Sequence, residues 1–208
     1  MIRKLLSRFR RSASHAAWSV PAPLLRMALP APDRDYRHCW VDLAGVEYRR
    51  RCFERQSAQG TRPLIGNPSL DEVRNALRSS KARSVLEVGC GWGRLLGALT
   101  PEFEVAGCDV SDDMLRLCPP ELKAFRHDIA IENLAFNREH HGRWHCLFTR
   151  GVMLYLMQPE QTAYAMNNML MLASGDIHIW EWPEICQHMQ LFSTSSRFIY
   201  HPIEHRDE

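Results

Sequence analysis

The chain has 208 residues, of which 45% are hydrophobic and 24% are charged, and its formal net charge is +2. This length suits one domain with a hydrophobic core and is too short for two independent domains of ordinary size. The composition excludes a disordered chain, and the charge gives no strong nucleic-acid signal.

The chain opens on a basic arm. Residues 1–11 are rich in Lys and Arg and hold no acid, so the arm could contact an anionic membrane surface or another polyanion. Four prolines interrupt residues 19–35 and indicate a linker. We therefore expect an arm and linker over residues 1–35 and a folded domain over residues 36–208. A solvated arm is favoured over a weak membrane contact, because the amphipathic stretch is short and no long apolar run follows it.

The cysteine pattern bears on the cellular compartment. Seven cysteines, an odd number with no Cys-x-x-Cys pair, suit buried free thiols better than disulfides or a zinc site. We therefore expect a cytoplasmic protein, with peripheral membrane association through the arm as an open alternative. The sequence does not determine the oligomeric state.

Strand and helix patterns alternate from residue 84 onward. Such alternation predicts an α/β fold of the Rossmann-like, doubly wound kind, in which a mostly parallel sheet carries helices on both faces. A helical cap is expected before it, over about residues 36–80, with helices at 40–56 and 67–77. The later strands are predicted at 84–88, 104–109, 123–127, 145–149, 176–180 and 197–203, and the later helices at 92–99, 112–117, 132–139 and 159–173.

A glycine-rich turn follows the first strand of this alternation. The apolar strand runs into Gly89, Gly91 and Gly93, and a helix opens directly behind them. Such a turn lets the backbone approach a nucleotide-like cofactor at the carboxyl end of the strand. The dinucleotide pattern G-x-G-x-x-G fails, because Arg94 or Leu96 stands where its third glycine belongs.

The turn resembles motif I of the class I S-adenosylmethionine-dependent methyltransferases, in which an acid precedes G-x-G-x-G by two places. Here Glu87 precedes Gly89, Gly91 and Gly93 in that way. The resemblance implies that the glycine turn packs against the methionine part of S-adenosylmethionine. It also implies that Glu87 holds the cofactor's ammonium group or orders the site. The resemblance to this family covers about residues 84–182.

Two further acids extend the predicted cofactor site. Asp109 ends the second strand about twenty residues after the glycine turn, where a carboxylate can accept hydrogen bonds from ribose hydroxyls. The resemblance implies that Val110 and Met114 pack on the adenine, and that Asp128 and Ile129 read its edge. For Asp109 and Asp128, helix capping stays open as an alternative.

The fourth strand supplies one more predicted ligand and one departure from the family. Arg150 is assigned to the cofactor site, with an anionic substrate or a strand cap as alternatives. Cys146 or Thr149 stands where many relatives carry Asp or Asn, so no family base can be assigned. The candidates for a catalytic base are His127, His178 and Glu181.

The end of the chain departs from the family as well. Only 27 residues follow Glu181, where the full fold has a helix and an antiparallel hairpin, so we expect an abbreviated sheet edge. Glu181 or Trp182 is as suited to a substrate pocket as to the core. The histidines at 140, 141 and 145 lack matching carboxylate or thiolate partners, and no metal is predicted.

The sequence thus predicts methyl transfer from S-adenosylmethionine to an oxygen or nitrogen of a small-molecule or sugar-like acceptor. A faint resemblance of residues 151–160 to methyltransferases of bacterial surface-sugar biosynthesis favours the sugar-like class. The first alternative is a non-catalytic protein that binds S-adenosylmethionine or serves as a scaffold with a degenerate site. A nicotinamide oxidoreductase comes third.

Overall fold

The computed structural model describes residues 68–131, 133–156 and 158–203. The predicted basic arm, the linker and most of the predicted helical cap, with its helix over residues 40–56, lie outside the described residues. The boundary at residue 35 therefore stays a prediction.

Helix α1 spans Leu70–Ser79 and begins three residues later than the sequence predicts. The Ser69 hydroxyl accepts a hydrogen bond from the backbone N–H of Glu72 at 3.2 Å, and the Glu72 carboxylate accepts one from the Ser69 N–H at 2.5 Å. This reciprocal capping box satisfies two backbone donors that a helix start otherwise leaves unpaired. The helix therefore begins directly after Ser69.

Six strands form one sheet in the order β3-β2-β1-β4-β5-β6, and every neighbouring pair is parallel. This arrangement confirms the predicted Rossmann-like, doubly wound α/β fold. The strand order reverses between β1 and β4, and the carboxyl ends at such a switch point form the usual ligand site of these sheets. The strands are β1 Ser84–Val88, β2 Glu104–Asp109, β3 Lys123–Arg126, β4 Cys146–Arg150, β5 Ile177–Glu181 and β6 Phe198–Pro202.

Helices connect the strands and cover both faces of the sheet. They are α2 Arg94–Leu99, α3 Asp112–Leu115, α4 Leu134–Glu139, α5 Pro159–Leu172 and α6 Pro183–Gln190, with a short 3₁₀ turn at Met153–Tyr155. One hydrophobic core joins the strand residues Leu86, Leu147 and Ile179 to Met166 and Met169 of α5. Side chains alternate across each strand, so the intervening residues face the other side.

The second core lies on that other side of the sheet. There Val85 of β1 and Phe148 of β4 join Val73 and Leu77 of α1 and Leu96 of α2. Glu87 lies two residues beyond Val85 on the same strand and therefore belongs to this face. The central strands are buried on both faces, which holds their carboxyl ends in fixed register.

The C-terminal edge differs in one element from the sequence prediction. Helix α6 was not predicted, although Pro183 occupies its first turn and Glu184 follows, a combination that favours a helix start. Strand β6 then lies parallel to β5 as the last described strand of the sheet. The predicted abbreviated edge is confirmed for the described residues.

The five described cysteines are free thiols, and all but the partly exposed Cys118 are buried, as the sequence predicts. Cys39 and Cys52 lie outside the described residues. Among the described helices, none combines the length and apolar character needed to cross a bilayer.

Candidate cofactor and active site

The glycine turn lies at the carboxyl end of β1. Gly89, Gly91 and Gly93 have φ angles of 74°, 55° and 75°. Residues that carry a Cβ rarely adopt this left-handed backbone conformation. The N–H groups of Gly89 and Cys90 both donate to the Cys108 carbonyl, at 2.8 and 3.0 Å. The turn is therefore bonded to the end of β2 and starts α2 at a fixed place.

The three glycines differ in what surrounds them. A Cβ on Gly89 would overlap Cγ2 of Val152, and one on Gly93 would come within 2.9 Å of Cδ1 of Leu122. A Cβ on Gly91 would meet no atom within 4 Å. Gly91 is therefore the residue of the turn whose backbone faces open space, where a cofactor could approach.

Asp109 bonds the glycine turn to the end of β2. Its Oδ2 accepts from the Gly91 N–H at 2.8 Å, and its Oδ1 accepts from the Ser111 N–H at 2.8 Å. Burial raises the pKa of Asp109, and hydrogen bonds from the amides of Ser111, Gly91 and Val110 oppose that rise. Each carboxylate oxygen keeps a second lone pair, so the group can order the turn and still accept from a ribose.

Glu87 is fully buried beneath the turn. Its Oε1 lies 3.5 Å from Nε of Arg150, and its Oε2 has no hydrogen-bond partner among the described residues. Burial raises the pKa of Glu87 to about 7, while the adjacent Arg150 guanidinium lowers it. A buried carboxylate oxygen without a donor is costly, so this atom suits a cationic ligand group.

The predicted adenine residues lie around the neighbouring ends of β2 and β3. The His127 N–H donates to the Asp109 carbonyl at 3.0 Å and joins the two strand ends. Val110 is half-buried, whereas Met114 is 2% and Ile129 is 6% exposed. The side chains of Met114 and Ile129 therefore belong largely to the core. The backbone beside Ile129 is better placed than its side chain to meet a ligand.

Neither predicted aspartate caps a helix in the described chain. Ser111 caps α3 through its hydroxyl, and Asn133 caps α4 through its amide oxygen. Oδ1 of Asp128 instead accepts from the Ala130 N–H at 3.0 Å. The capping alternative is therefore removed for α3 and α4, and both aspartates order turns at the carboxyl edge of the sheet.

Glu181, the last residue of β5, is fully buried and holds the loop after β4. Its Oε1 accepts from the N–H groups of Val152 and Met153 at 2.7 and 2.6 Å. Its Oε2 has no hydrogen-bond partner among the described residues. Burial raises the pKa of Glu181 to about 8, and the amide hydrogen bonds oppose that rise. Because Val152 abuts Gly89, Glu181 is linked to the glycine turn through one loop.

The two candidate histidines occupy different surroundings. His178 is 2% exposed, and its ring nitrogens lie 2.9 Å from Oγ of Ser80 and 2.9 Å from Nε2 of His201. This placement favours a structural role over that of a base. His127 stacks on Phe136 with ring centroids 4.1 Å apart, and its ring nitrogens lack partners among the described residues.

Burial lowers the pKa of both His127 and His178 to about 4. Both rings are therefore neutral near pH 7. His127 follows the edge strand β3, whereas the loop expected to face the methyl group follows β4, and strands β2 and β1 lie between the two. Of the three candidate bases, Glu181 is the one joined to that loop.

Sequence reasoning missed two groups that shape this edge. Val152 limits the space at Gly89, and the buried amides of Asn137 and Asn168 hold the loop after β3. Asn168 stands at a helical position that periodicity assigns to the core, and an asparagine there is the signal that could have indicated a polar contact. Among the described residues, no group of His, Cys, Asp or Glu could hold a metal ion.

Residues 85–175 match a family model described as a methyltransferase domain. This match identifies a methyltransferase domain over these residues, and it agrees with the resemblance to class I S-adenosylmethionine-dependent methyltransferases that the glycine turn shows. The match begins in β1 and ends before β5, so it includes the glycine turn, Asp109 and β4. S-adenosylmethionine is the cofactor of this family. Its fit to this methyltransferase domain rests on the open Gly91 turn and the orphaned Glu87 oxygen.

Solved structures share the fold of the methyltransferase domain. A TehB-like SAM-dependent methyltransferase from Corynebacterium glutamicum is 16% identical, with a TM-score of 0.53 over 70% of this chain and 81% of that one. The sugar N-methyltransferase KedS8 from Streptoalloteichus is 21% identical, with a TM-score of 0.50 over 65% of this chain and 55% of that one. DesVI from Streptomyces venezuelae is 24% identical, with a TM-score of 0.46 over 55% of this chain and 51% of that one.

The chain thus spans about half the length of DesVI and of KedS8. No curated protein sequence matches it. The likenesses to the TehB-like protein and to KedS8 establish the fold of the methyltransferase domain.

Proposed function

We propose that this chain transfers a methyl group from S-adenosylmethionine to an oxygen or nitrogen of a small-molecule or sugar-like acceptor. The observation that carries the proposal is the open turn at Gly91, with the Asp109 carboxylate on one side and the orphaned Oε2 of Glu87 beneath it. This edge offers one acceptor group for a ribose and another for an ammonium group.

The charges of the site suit the ends of that cofactor. Glu87 would face the methionine ammonium group, and its ionised form would be favoured once a cation replaces the missing donor. Arg150, 17% exposed at its side chain, would neutralise an anionic group at the same end. Asp109 would receive the ribose hydroxyls, and the loop holding Asp128 and Ile129 would receive the adenine edge.

When bound, S-adenosylmethionine supplies a methyl group that is already activated on its sulfonium. The chain has to align the acceptor and exclude water. The loop after β4 serves the first task, because Glu181 fixes its backbone at Val152 and Met153. The acceptor also has to lose a proton, and Oε2 of Glu181 is the atom we assign to receive it.

The sugar-like class of acceptor has limited support. The sugar N-methyltransferase KedS8 shares the fold of this domain, and the faint resemblance of residues 151–160 to methyltransferases of bacterial surface-sugar biosynthesis favours the same class. An oxygen or nitrogen nucleophile on a polar small molecule would suit the buried polar atoms at the ends of β4 and β5.

Binding is tested first by calorimetric titration with S-adenosylmethionine, S-adenosylhomocysteine and NAD. We expect binding of the first two and none of NAD. Incubation with methyl-labelled S-adenosylmethionine and a panel of amino sugars and sugar nucleotides then tests transfer. Tight cofactor binding with no labelled product from any acceptor would favour the non-catalytic alternative, and binding of NAD alone would contradict the proposal.

The role of Glu181 is tested by Glu181→Gln. The amide oxygen of Gln can still accept from the Val152 and Met153 N–H groups, but the side chain no longer takes up a proton. With a hydroxyl acceptor, we expect kcat to fall roughly 100-fold, with an unchanged Kd for the cofactor. The wild-type rate should rise with pH through about 8, following the pKa of Glu181, and the variant should lack that rise. Equal rates for both proteins would remove Glu181 as the base.

A further inference from the structure

The loop after β3 is held by side-chain hydrogen bonds from a helix and not by strand pairing. Strand β3 ends at Arg126, and the loop continues through residues 127–131 without strand pairing. Inside the loop, Asp128 accepts from the Ala130 N–H at 3.0 Å. The carbonyl of Ile129, which is 6% exposed, needs another donor, because a buried carbonyl without one is costly.

Asn168 of α5 supplies this donor. Its Nδ2 donates to the Ile129 carbonyl at 2.7 Å and to the Ile131 carbonyl at 2.8 Å. Asn168 is 1% exposed. Its bond to the Ile129 carbonyl is buried, and its bond to the Ile131 carbonyl is partly buried. One buried amide group thus fixes two points of the loop backbone on either side of Ala130.

A second buried asparagine fixes the orientation of the first. Asn137 of α4 is 2% exposed, and its Nδ2 donates to Oδ1 of Asn168 at 2.7 Å. With its oxygen held by this donor, the amide of Asn168 must present its nitrogen to the loop. The pair therefore defines which atoms face the Ile129 and Ile131 carbonyls.

Asn168 does not stabilise helix α5 itself. Asparagine is a poorer helix former than leucine, and a buried amide costs free energy unless it is fully bonded. The side-chain bonds of Asn168 go to the loop and to Asn137, and none goes to α5 itself. An apolar residue would pack against the surrounding core more simply, so the bonds to the loop are the physical reason for the amide.

We propose that Asn168 is a positioning residue that sets the selectivity of the cofactor site for adenine. This inference rests on the proposed function, in which Asp128 and the backbone at Ile129 read the adenine edge. The two carbonyl bonds fix the backbone next to both groups. Recognition of a base edge needs placement within about 0.5 Å, and Asn168 supplies that placement without touching the ligand.

Asn168→Asp is the first test variant. It keeps the shape of the side chain and an oxygen that accepts from Asn137, but its carboxylate has no donor for the two carbonyls. Asn137→Ala is the second variant, because it leaves both donors of Asn168 in place and removes only their support. Asn167→Ala, an exposed neighbour on the same helix, is the control.

Hydrogen exchange of the ligand-free protein tests the positioning alone. In Asn168→Asp we expect amides of residues 128–131 to exchange about tenfold faster than in the wild type, since both side-chain hydrogen bonds that hold the loop are lost. Asn137→Ala should show a smaller increase, and Asn167→Ala none. Unchanged exchange in Asn168→Asp would overturn the proposal whatever the protein binds.

Titration with S-adenosylhomocysteine and S-inosylhomocysteine tests selectivity. The inosine analogue carries a carbonyl in place of the adenine amino group. The wild type should prefer the adenine compound, and Asn168→Asp should bind it about tenfold more weakly while binding of the analogue changes little. Thr162→Val is a second control on helix α5, because it removes a buried hydroxyl that donates to the carbonyls of Leu156 and Gln158. This variant should have a lower Tm and should still prefer the adenine compound.

The possible outcomes distinguish a failure of the role assigned to Asn168 from a failure of the proposed function. Equal loss of affinity for both compounds in Asn168→Asp would show a merely structural role and overturn the inference. A wild-type protein that binds neither compound would overturn the proposed function and the adenine selectivity that rests on it. In that case the exchange measurement still decides whether Asn168 holds the loop.

Discussion

Single residues at the carboxyl edge of the sheet serve the turn and the ligand at once. Asp109 accepts two backbone hydrogen bonds and keeps lone pairs for a ribose. A Cβ on Gly89 would overlap the side chain of Val152, whereas a Cβ on Gly91 would meet open space. A change at either kind of residue therefore alters folding and binding by different amounts, and variants can separate the two.

Gly89→Ala should lower both Tm and affinity for S-adenosylhomocysteine. The left-handed φ of 74° costs an alanine about 1 to 2 kcal/mol, and its Cβ would overlap Val152. Adding Val152→Ala should restore part of the lost Tm, because it removes the overlapping methyl group. The control is Gly97→Ala, a helical position with open space around it, which should be neutral or slightly stabilising. A Gly89→Ala protein with wild-type Tm would contradict the packing argument.

Asp109→Ala should weaken binding of S-adenosylhomocysteine far more than Asp128→Ala. We expect a loss of roughly 2 to 4 kcal/mol in the first variant, from two charge-assisted bonds, and about 1 kcal/mol in the second. Because the Gly91 and Ser111 amides lose their acceptor, Asp109→Ala should also lower Tm. Calorimetric titration and thermal melting measure the two effects. Small, equal losses of affinity would mean that Asp109 orders the turn without binding ribose.

At the scale of elements, helix α5 connects the two sides of the site. Asn168 holds the loop after β3, and Thr162 near the start of the helix donates to the carbonyls of Leu156 and Gln158 in the loop after β4. The end of the helix is fixed in turn by Arg197, just before β6. Its guanidinium donates to the carbonyls of Gly175, Leu170 and Ala173 at 2.8, 3.3 and 2.5 Å.

Arg197→Met should therefore destabilise the domain and leave its ligand affinity unchanged. The three carbonyls at the end of α5 lose a cationic donor, which we expect to cost about 2 kcal/mol of unfolding free energy. Denaturant melts measure that loss. Arg116→Met removes an exposed pair with Asp113 and should cost under about 0.5 kcal/mol. Equal effects of the two substitutions would show that the Arg197 bonds contribute little.

The parts of the fold that the sequence predicts are those that depend on residues close together in the chain. The strand before Gly89, the glycines themselves and the helix behind them follow one another within a few residues, so periodicity and backbone chemistry suffice. The same holds for Asp109 at the end of β2. Helix α6 was within reach of the same reasoning, since Pro183 marks its first turn.

Long-range partners were beyond local reasoning. His178 was a candidate base from the sequence because nothing nearby in the chain shows that Ser80 and His201 bond both of its ring nitrogens. The hold of Asn168 on Ile129 spans 39 residues. Contacts of this kind depend on how the sheet stacks its helices, which propensity and spacing do not encode.

For the whole molecule, buried titratable groups make stability depend on pH. Burial raises the pKa of Glu87 to about 7 and of Glu181 to about 8, so their contribution is present at low pH and is lost as pH rises through those values. Burial lowers the pKa of His127 and His178 to about 4. Their contribution is present above about pH 6.5 and is lost as pH falls through 4.

Glu181→Gln should therefore flatten the alkaline side of the stability curve. Above pH 6 the folded wild type holds a proton on Glu181 that the unfolded chain has released, and ionising the buried group costs up to about 1.4 kcal/mol per pH unit. The Tm of Glu181→Gln relative to wild type should rise from pH 6 to about pH 8 and level off above it. The Tm of the variant itself should still decline through pH 7, because Glu87 still titrates. Glu160→Gln, at an exposed position, should follow the wild-type curve throughout. Thermal melts in buffers of equal ionic strength measure all three curves, and a Glu181→Gln curve parallel to wild type would mean that Glu181 is already ionised in the folded protein at neutral pH.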